Sequence, residues 1–179
     1  MPDMPDRLPT QAHLLKLSLR GMVCYALRCA LRVVHLTKPD PGLHKKANAC
    51  LEPATRFCTA SSVDDIHDAA RTAHFAAGHA AHIGAASPAG YASNAASGSA
   101  AAAGYAAFAD HTRDADDAVT VARAAALAAD CAAEAATDRV AAIAAIRADF
   151  EKLLELTGRQ AGKIGVPMDP GEDGPLGPL

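Results

Sequence analysis

Histidine is the residue type in this chain whose spacing comes nearest to chemistry. His67, His74, His79 and His82 fall within sixteen residues of one helical stretch. His79-x-x-His82 has the i,i+3 step at which two imidazoles on one helix face can share a metal ion. Asp64-x-x-His67 adds half of the carboxylate–histidine arrangement used in di-metal bundles. The chemistry would be metal binding, or capture of a small ligand beside His74, His79 and His82. Against it, the Glu-x-x-His pairs that complete such centres are missing. At about 100° per residue the three imidazoles also spread over about 140° of the helix. They stand as metal-ligating candidates only, and histidines satisfied in a core or an interface are the simpler reading. No cofactor follows from them.

The remaining candidates are weaker. Asp110, Asp114, Asp116 and Asp117 could hold a cation or a basic partner, but the positive end of a helix dipole explains carboxylates gathered at a helix start. Asp130 and Glu134 sit one turn apart and could act as paired carboxylates. With no aromatic nearby in sequence to shape a pocket, they read as a solvated face. No serine lies in a nucleophile elbow and no glycine-rich turn follows a strand. Cys24, Cys29, Cys50, Cys58 and Cys131 form no CxxC pair and have no ligand spacing with histidine. An odd set of scattered cysteines fits reduced thiols packed as small hydrophobes in a cytoplasm. Nothing here points to an enzyme.

The elements that would position these groups are helices. Between Ala69 and Ala148, 37 of 80 residues are alanine, the strongest helix former. Such helices carry little apolar area each, so close approach must compensate. Phe57, Phe75, Phe108, Phe150, Tyr25, Tyr91 and Tyr105 are then expected to be the bulky pins of the core. A short piece at Thr10–Leu17 precedes a helix at Ser18–Leu36, whose Met22, Val23, Ala26, Leu27, Ala30, Leu31, Val33 and Val34 recur at helical steps. Lys16, Arg20, Arg28 and Arg32 should form its solvated face. Thr37-Lys-Pro-Asp-Pro-Gly42 stops it, and Leu43–Cys58 follows, with Pro53 expected to kink or restart it. Ser62 caps a third helix reaching Ile83 and ending at Gly84. Ser87-Pro88 opens a fourth, running to Ala109. Asp114 caps the next, and residues 115–156 form one long helix or two broken near Thr137-Asp138.

From Ile83 to Ala109 there are 27 residues without a formal charge. Serine, asparagine and glycine dilute the stretch, so it reads as a helix enclosed by other helices rather than as a membrane span. Met1–Pro9 is acidic and proline-rich, unlike a secretion leader. Residues 1–60 carry nine Lys/Arg against four Asp/Glu, and residues 61–157 six against thirteen. A basic front docking on an acidic body satisfies both, and without interleaved aromatics the basic positions do not suggest nucleic-acid binding. Six glycines and four prolines in residues 158–179 rule out a helix there. Ile164, Val166, Met168, Leu176 and Leu179 punctuate this tail, so a strap across the body and disorder past Asp169 both stand open.

Leu19-Arg-Gly-Met-Val-Cys-Tyr-Ala-Leu-Arg-Cys-Ala-Leu-Arg-Val-Val-His-Leu36, the alanine field, Arg147-Ala-Asp-Phe-Glu-Lys-Leu-Leu154 and the closing Gly165-Val-Pro-Met-Asp-Pro-Gly-Glu-Asp-Gly-Pro-Leu-Gly-Pro-Leu179 together resemble a group of alanine-rich bacterial proteins to which no activity is assigned. In that group the tail usually continues into a Trp-Pro, which makes this chain short or truncated by comparison. Over residues 24–130, the Cys29-Ala-Leu-Arg-Val33 helix, a second short helix and the Ala/His-rich helices (Ala69 to Ala81) are similar to immunity proteins of bacterial toxin systems. That likeness implies an all-helical protein that neutralises a partner toxin by binding it, and it carries over no functional residues.

The expectation is an all-α fold: residues 1–157 as an antiparallel bundle of five or six alanine-rich helices, and residues 158–179 as an extended Gly/Pro-rich tail. The function expected is non-enzymatic protein binding through a helical surface. Metal or ligand binding near His74, His79 and His82, and self-assembly into a homo-oligomer through alanine ridges, are the alternatives.

Overall fold

The computed structural model describes residues 7–80, 87–112, 115–158, 160–171 and 173–179. Among these the chain is helical without a strand: α1 (Gln11–Leu14), α2 (Leu19–Val33), a 3₁₀ turn (Val34–Thr37), α3 (Pro41–Thr59), α4 (Val63–Ala80), α5 (Pro88–Thr112), α6 (Ala115–Ala135) and α7 (Arg139–Thr157). Among the described residues, no helix is long and apolar enough to cross a membrane.

Short polar side chains set where these helices begin. Ser18 accepts from the Gly21 N–H at 3.0 Å, Asp40 from Leu43 at 3.0 Å, Ser62 from Asp65 at 3.1 Å, Ser87 from Gly90 at 3.1 Å and Asp138 from Ala141 at 3.0 Å. Each satisfies a first-turn donor that has no partner within its helix. The cap at Asp138 divides α6 from α7, which settles the choice between one long helix and two. The expected ends at Ile83 and Gly84, and the cap at Asp114, lie outside the described residues.

α5 is the axle. It packs most extensively on α6, then on α4, α2 and α3, as a helix with no charged face requires. Its glycines set the spacing. A Cβ at Gly98 would sit 3.1 Å from the Ala128 Cβ, and one at Gly104 would sit 3.0 Å from the His74 Cβ and 3.2 Å from its Cα. α6 and α4 therefore approach closer than an alanine would allow, which compensates for the small side chains.

Three sequence expectations are corrected here. Pro53 does not restart α3, which runs unbroken from Pro41 to Thr59; its ring is buried, and packing there offsets the lost hydrogen bond. The arginines of α2 are not a solvated face: Arg20 is 2 % and Arg28 0 % exposed, and only Lys16 of the four is out in solvent. α2 is enclosed on nearly every side, so arginine stems act as packing and their heads must find partners inside. Nor are all the aromatics core pins. Tyr25 and Phe57 are buried, whereas Phe75 and Phe108 are 63 % and 58 % exposed.

Arg28 finds its partners on α7 and on the tail. One nitrogen donates to Asp149 Oδ1 at 2.9 Å and to the Pro178 carbonyl at 2.9 Å; the other donates to the carbonyls of Gly177 at 2.7 Å and Pro170 at 3.3 Å. Arg32 grips Asp149 Oδ2 through Nε and a terminal nitrogen, at 3.1 and 2.8 Å. The described residues of the tail therefore lie as a strap across the body. It begins with the Leu19 and Arg20 N–H groups donating to the carbonyls of Lys163 and Ile164, and Met168 N–H donates to the Cys58 carbonyl. Gly165 adopts φ +86°, and a Cβ there would collide with the Ser18 side chain; only glycine fits.

Candidate functional site

A groove with a volume of about 630 Å³ lies between α4 and α5. Asp64, His67, Asp68, Arg71, His74 and Phe75 line it from α4, and Gly104, Phe108 and His111 from α5. On α4 the spacing 64, 67, 68, 71, 74, 75 is one continuous helical face. The close approach at Gly104 brings the α5 backbone against His74 and forms the floor.

His74 is the hub of the aromatic set. Its ring stands edge-on to Phe75, with centroids 6.2 Å apart, and to Tyr105 at 6.1 Å. Two further depressions meet at the same place. One, of about 430 Å³, includes His74, Tyr105, Leu127 and Cys131. The other, of about 470 Å³, includes Lys46, Pro53, Arg56 and Phe75. Phe75, Tyr105, Phe108 and Leu127 are all exposed, so an apolar surface runs from α3 across α4 and α5 to α6. Exposed aromatics at this density on helices otherwise built of alanine are unusual for a face that meets only water.

The groove lining sets Asp64 and Asp68 against Arg71. Asp68 is held below the ordinary carboxylate range, first by its hydrogen bond from Arg71 at 2.8 Å and then by that from Arg56 at 2.9 Å. Asp64 and Asp65 stand exposed beside it.

Of the metal-ligating candidates, His74 faces this groove. The side chain of His79 and the whole of His82 lie outside the described residues. Among the described residues, no three His, Cys, Asp or Glu side chains gather in a way that could hold a metal ion. His67 and Asp64 do share the groove, as their spacing implies. Of Asp130 and Glu134, Glu134 accepts from Arg139 at 3.0 Å. Burial pushes the Asp130 carboxyl up, Arg139 pulls it down, and Glu134 adds to the rise. All five cysteines are buried and unpaired.

Sequence reasoning missed Phe75, Tyr105, Phe108 and His111 as site residues. The signal was present: Tyr105 and Phe108 are bulky residues in an alanine field, each within about one turn of the glycine that admits α4. Compared with family models, with curated proteins and with solved structures, the chain matches none.

Proposed function

We propose that the protein is a non-enzymatic binding module whose α4/α5 face receives an amphipathic helix from a partner protein, with apolar side chains at its centre and Lys/Arg at its flanks. The observation that carries this reading is the exposure of Phe75 and Phe108 across a groove of about 630 Å³. An apolar stripe laid into such a groove would anchor a helix at i, i+3 or i+4, and i+7 steps. The basic flanks follow from the exposed carboxylate of Asp64 in the groove and from six Lys/Arg against thirteen Asp/Glu over residues 61–157. The same acidity disfavours nucleic acid. An immunity-like role, neutralising a basic partner toxin, is the form that the sequence resemblance favours. An antiparallel, short-looped helix order fits the reading, and the five unpaired cysteines suit a cytoplasmic setting.

The test uses two fluorescent amphipathic peptides with the same leucine stripe, one flanked by lysine and one by glutamate. The lysine peptide is expected to bind saturably, with affinity falling at high salt, and to lose at least about tenfold in a Phe75→Ala/Phe108→Ala double variant. Equal binding of both peptides, or no effect of the double variant, sinks the proposal. Native mass spectrometry of the purified chain decides the alternatives: a second subunit favours self-assembly, and a stoichiometric metal ion favours the histidine reading.

A further inference from the structure

The hold on the tail is unlike the rest of the molecule. Residues 163–171 and 173–178 have no helix or strand of their own, and of these only Met168 and Pro170 are buried. What fastens them is backbone. The α2 N–H groups take the carbonyls of Lys163 and Ile164, the Arg20 guanidinium takes Gly165 at 3.2 Å, and Arg28 takes Pro170, Gly177 and Pro178. Two guanidinium groups eight residues apart on α2 thus read the strap's carbonyls rather than its side chains, Arg20 where the strap is extended and Arg28 at both ends of its turns. Arg28 and Arg32 share the single carboxylate of Asp149, so the remaining buried donors of Arg28 depend on the strap's carbonyls. The Nε atoms of Arg20 and Arg28 remain buried with no acceptor, so the cleft holds more donor capacity than its present occupant uses.

We infer that the cleft along α2 is a binding site for carbonyl-rich Gly/Pro peptide, filled in this structure by the chain's own residues 163–171 and 173–178, and that this clasp opens as one unit. Hydrogen bonds to backbone carbonyls are replaced by water when the segment leaves, and the arginines become hydrated at the same moment. Of the strap's side chains Met168 and Pro170 are buried, and Ile164 and Leu176 pack partly on the core; that area is small beside a helix's, so opening costs less than global unfolding. An outside peptide of the same class competes with a tethered occupant whose effective concentration is high, and binds well only once the tether is weakened.

Gly165→Ala weakens it while leaving Arg28 and Asp149 in place, because the added Cβ collides with the Ser18 side chain and reaches the Arg20 Cβ at 3.7 Å. Hydrogen exchange of the full chain is the first readout. In the unsubstituted protein, the amides of Met168, Gly174 and Gly177 are expected to exchange through one shared opening, much faster than those of α2 and α5. In Gly165→Ala, all three should exchange at least about tenfold faster, with α5 and the part of α2 beyond its Ser18-capped first turn unchanged. The second readout is fluorescence anisotropy with a labelled peptide of residues 163–179. It should bind Gly165→Ala saturably and the unsubstituted chain at least about tenfold more weakly, and Gly165→Ala/Arg28→Met should lose it. Exchange of the tail only together with α2 and α5 would make the strap part of the core and overturn the inference. Acceleration confined to the residues beside Gly165, or no peptide binding to Gly165→Ala, would overturn it as well.

Discussion

Glycine does opposite work at two positions of the α4/α5 pair. At Gly78, on the exposed side of α4, an added Cβ meets nothing within 4 Å. Gly78→Ala therefore removes backbone freedom from the unfolded chain and should stabilise by up to about 1 kcal/mol. At Gly104 the same change places a methyl 3.0 Å from the His74 Cβ and 3.2 Å from its Cα. Backbone cannot swing aside as a side-chain tip can, so Gly104→Ala should destabilise by about 1–3 kcal/mol despite the better helix propensity. Urea midpoints of the two variants check both signs; a stabilised Gly104→Ala would mean that α4 yields easily. Neither outcome was legible from composition, because an alanine-rich sequence does not say which of its small residues touch. The same holds for the arginines. Arg28 lies 121 residues from Asp149 and up to 150 from the strap carbonyls that accept from it, and no local spacing announces partners that distant.

At the scale of elements, much more could be read in advance. The N-caps Ser18, Ser62, Ser87 and Asp138 each precede the helix their residue type suggests, since capping is a local contest between side chain and backbone. Asp138→Ala should cost about 1 kcal/mol and fray the first turn of α7, seen as faster amide exchange around Ala141 with the rest of the helix little changed. An equal loss of protection along all of α7 would show that packing on α2, not the cap, sets where it starts. The uncharged helix was placed correctly as the enclosed α5, because a segment without a polar face has one comfortable location. The site was legible only in part. His74 was flagged for its imidazole, yet it serves as the hub of an aromatic surface. Phe75 and Phe108 were assigned to the core, because hydrophobicity alone does not distinguish a pin from an exposed anchor.

For the whole molecule, the buried thiols make a prediction about alkaline pH. Burial pushes Cys50 up to about 11 and also raises Cys29, Cys58, Cys131 and the Tyr25 phenol. Below the ordinary thiol pKa of about 8.5, each cysteine is protonated whether folded or not, and stability is unaffected. Above it the unfolded chain loses protons first, so stability falls as pH rises, by up to about 1.4 kcal/mol per pH unit for each group until its folded pKa is passed. Urea unfolding at about pH 7.5, 9 and 10.5 should show midpoints dropping across the last two, with a shallower drop in Cys50→Ala. A flat profile would mean that the thiols reach water. The halves of opposite charge meet as their imbalance suggests, through Arg28 and Arg32 on Asp149 and Arg56 on Asp68.

The pairing of α2 with α7 and the strap also bears on how the chain is made. Synthesis runs from α2 onward at about 5–20 residues per second, so Arg28 waits on the order of ten seconds for Asp149 and the tail carbonyls to leave the ribosome. Until then its charge has no neutralising partner, and a helix that is nearly all buried in the finished protein cannot settle into a dry core. The middle helices are free to associate during that interval, but the first long helix to be synthesised must be among the last to be sealed in.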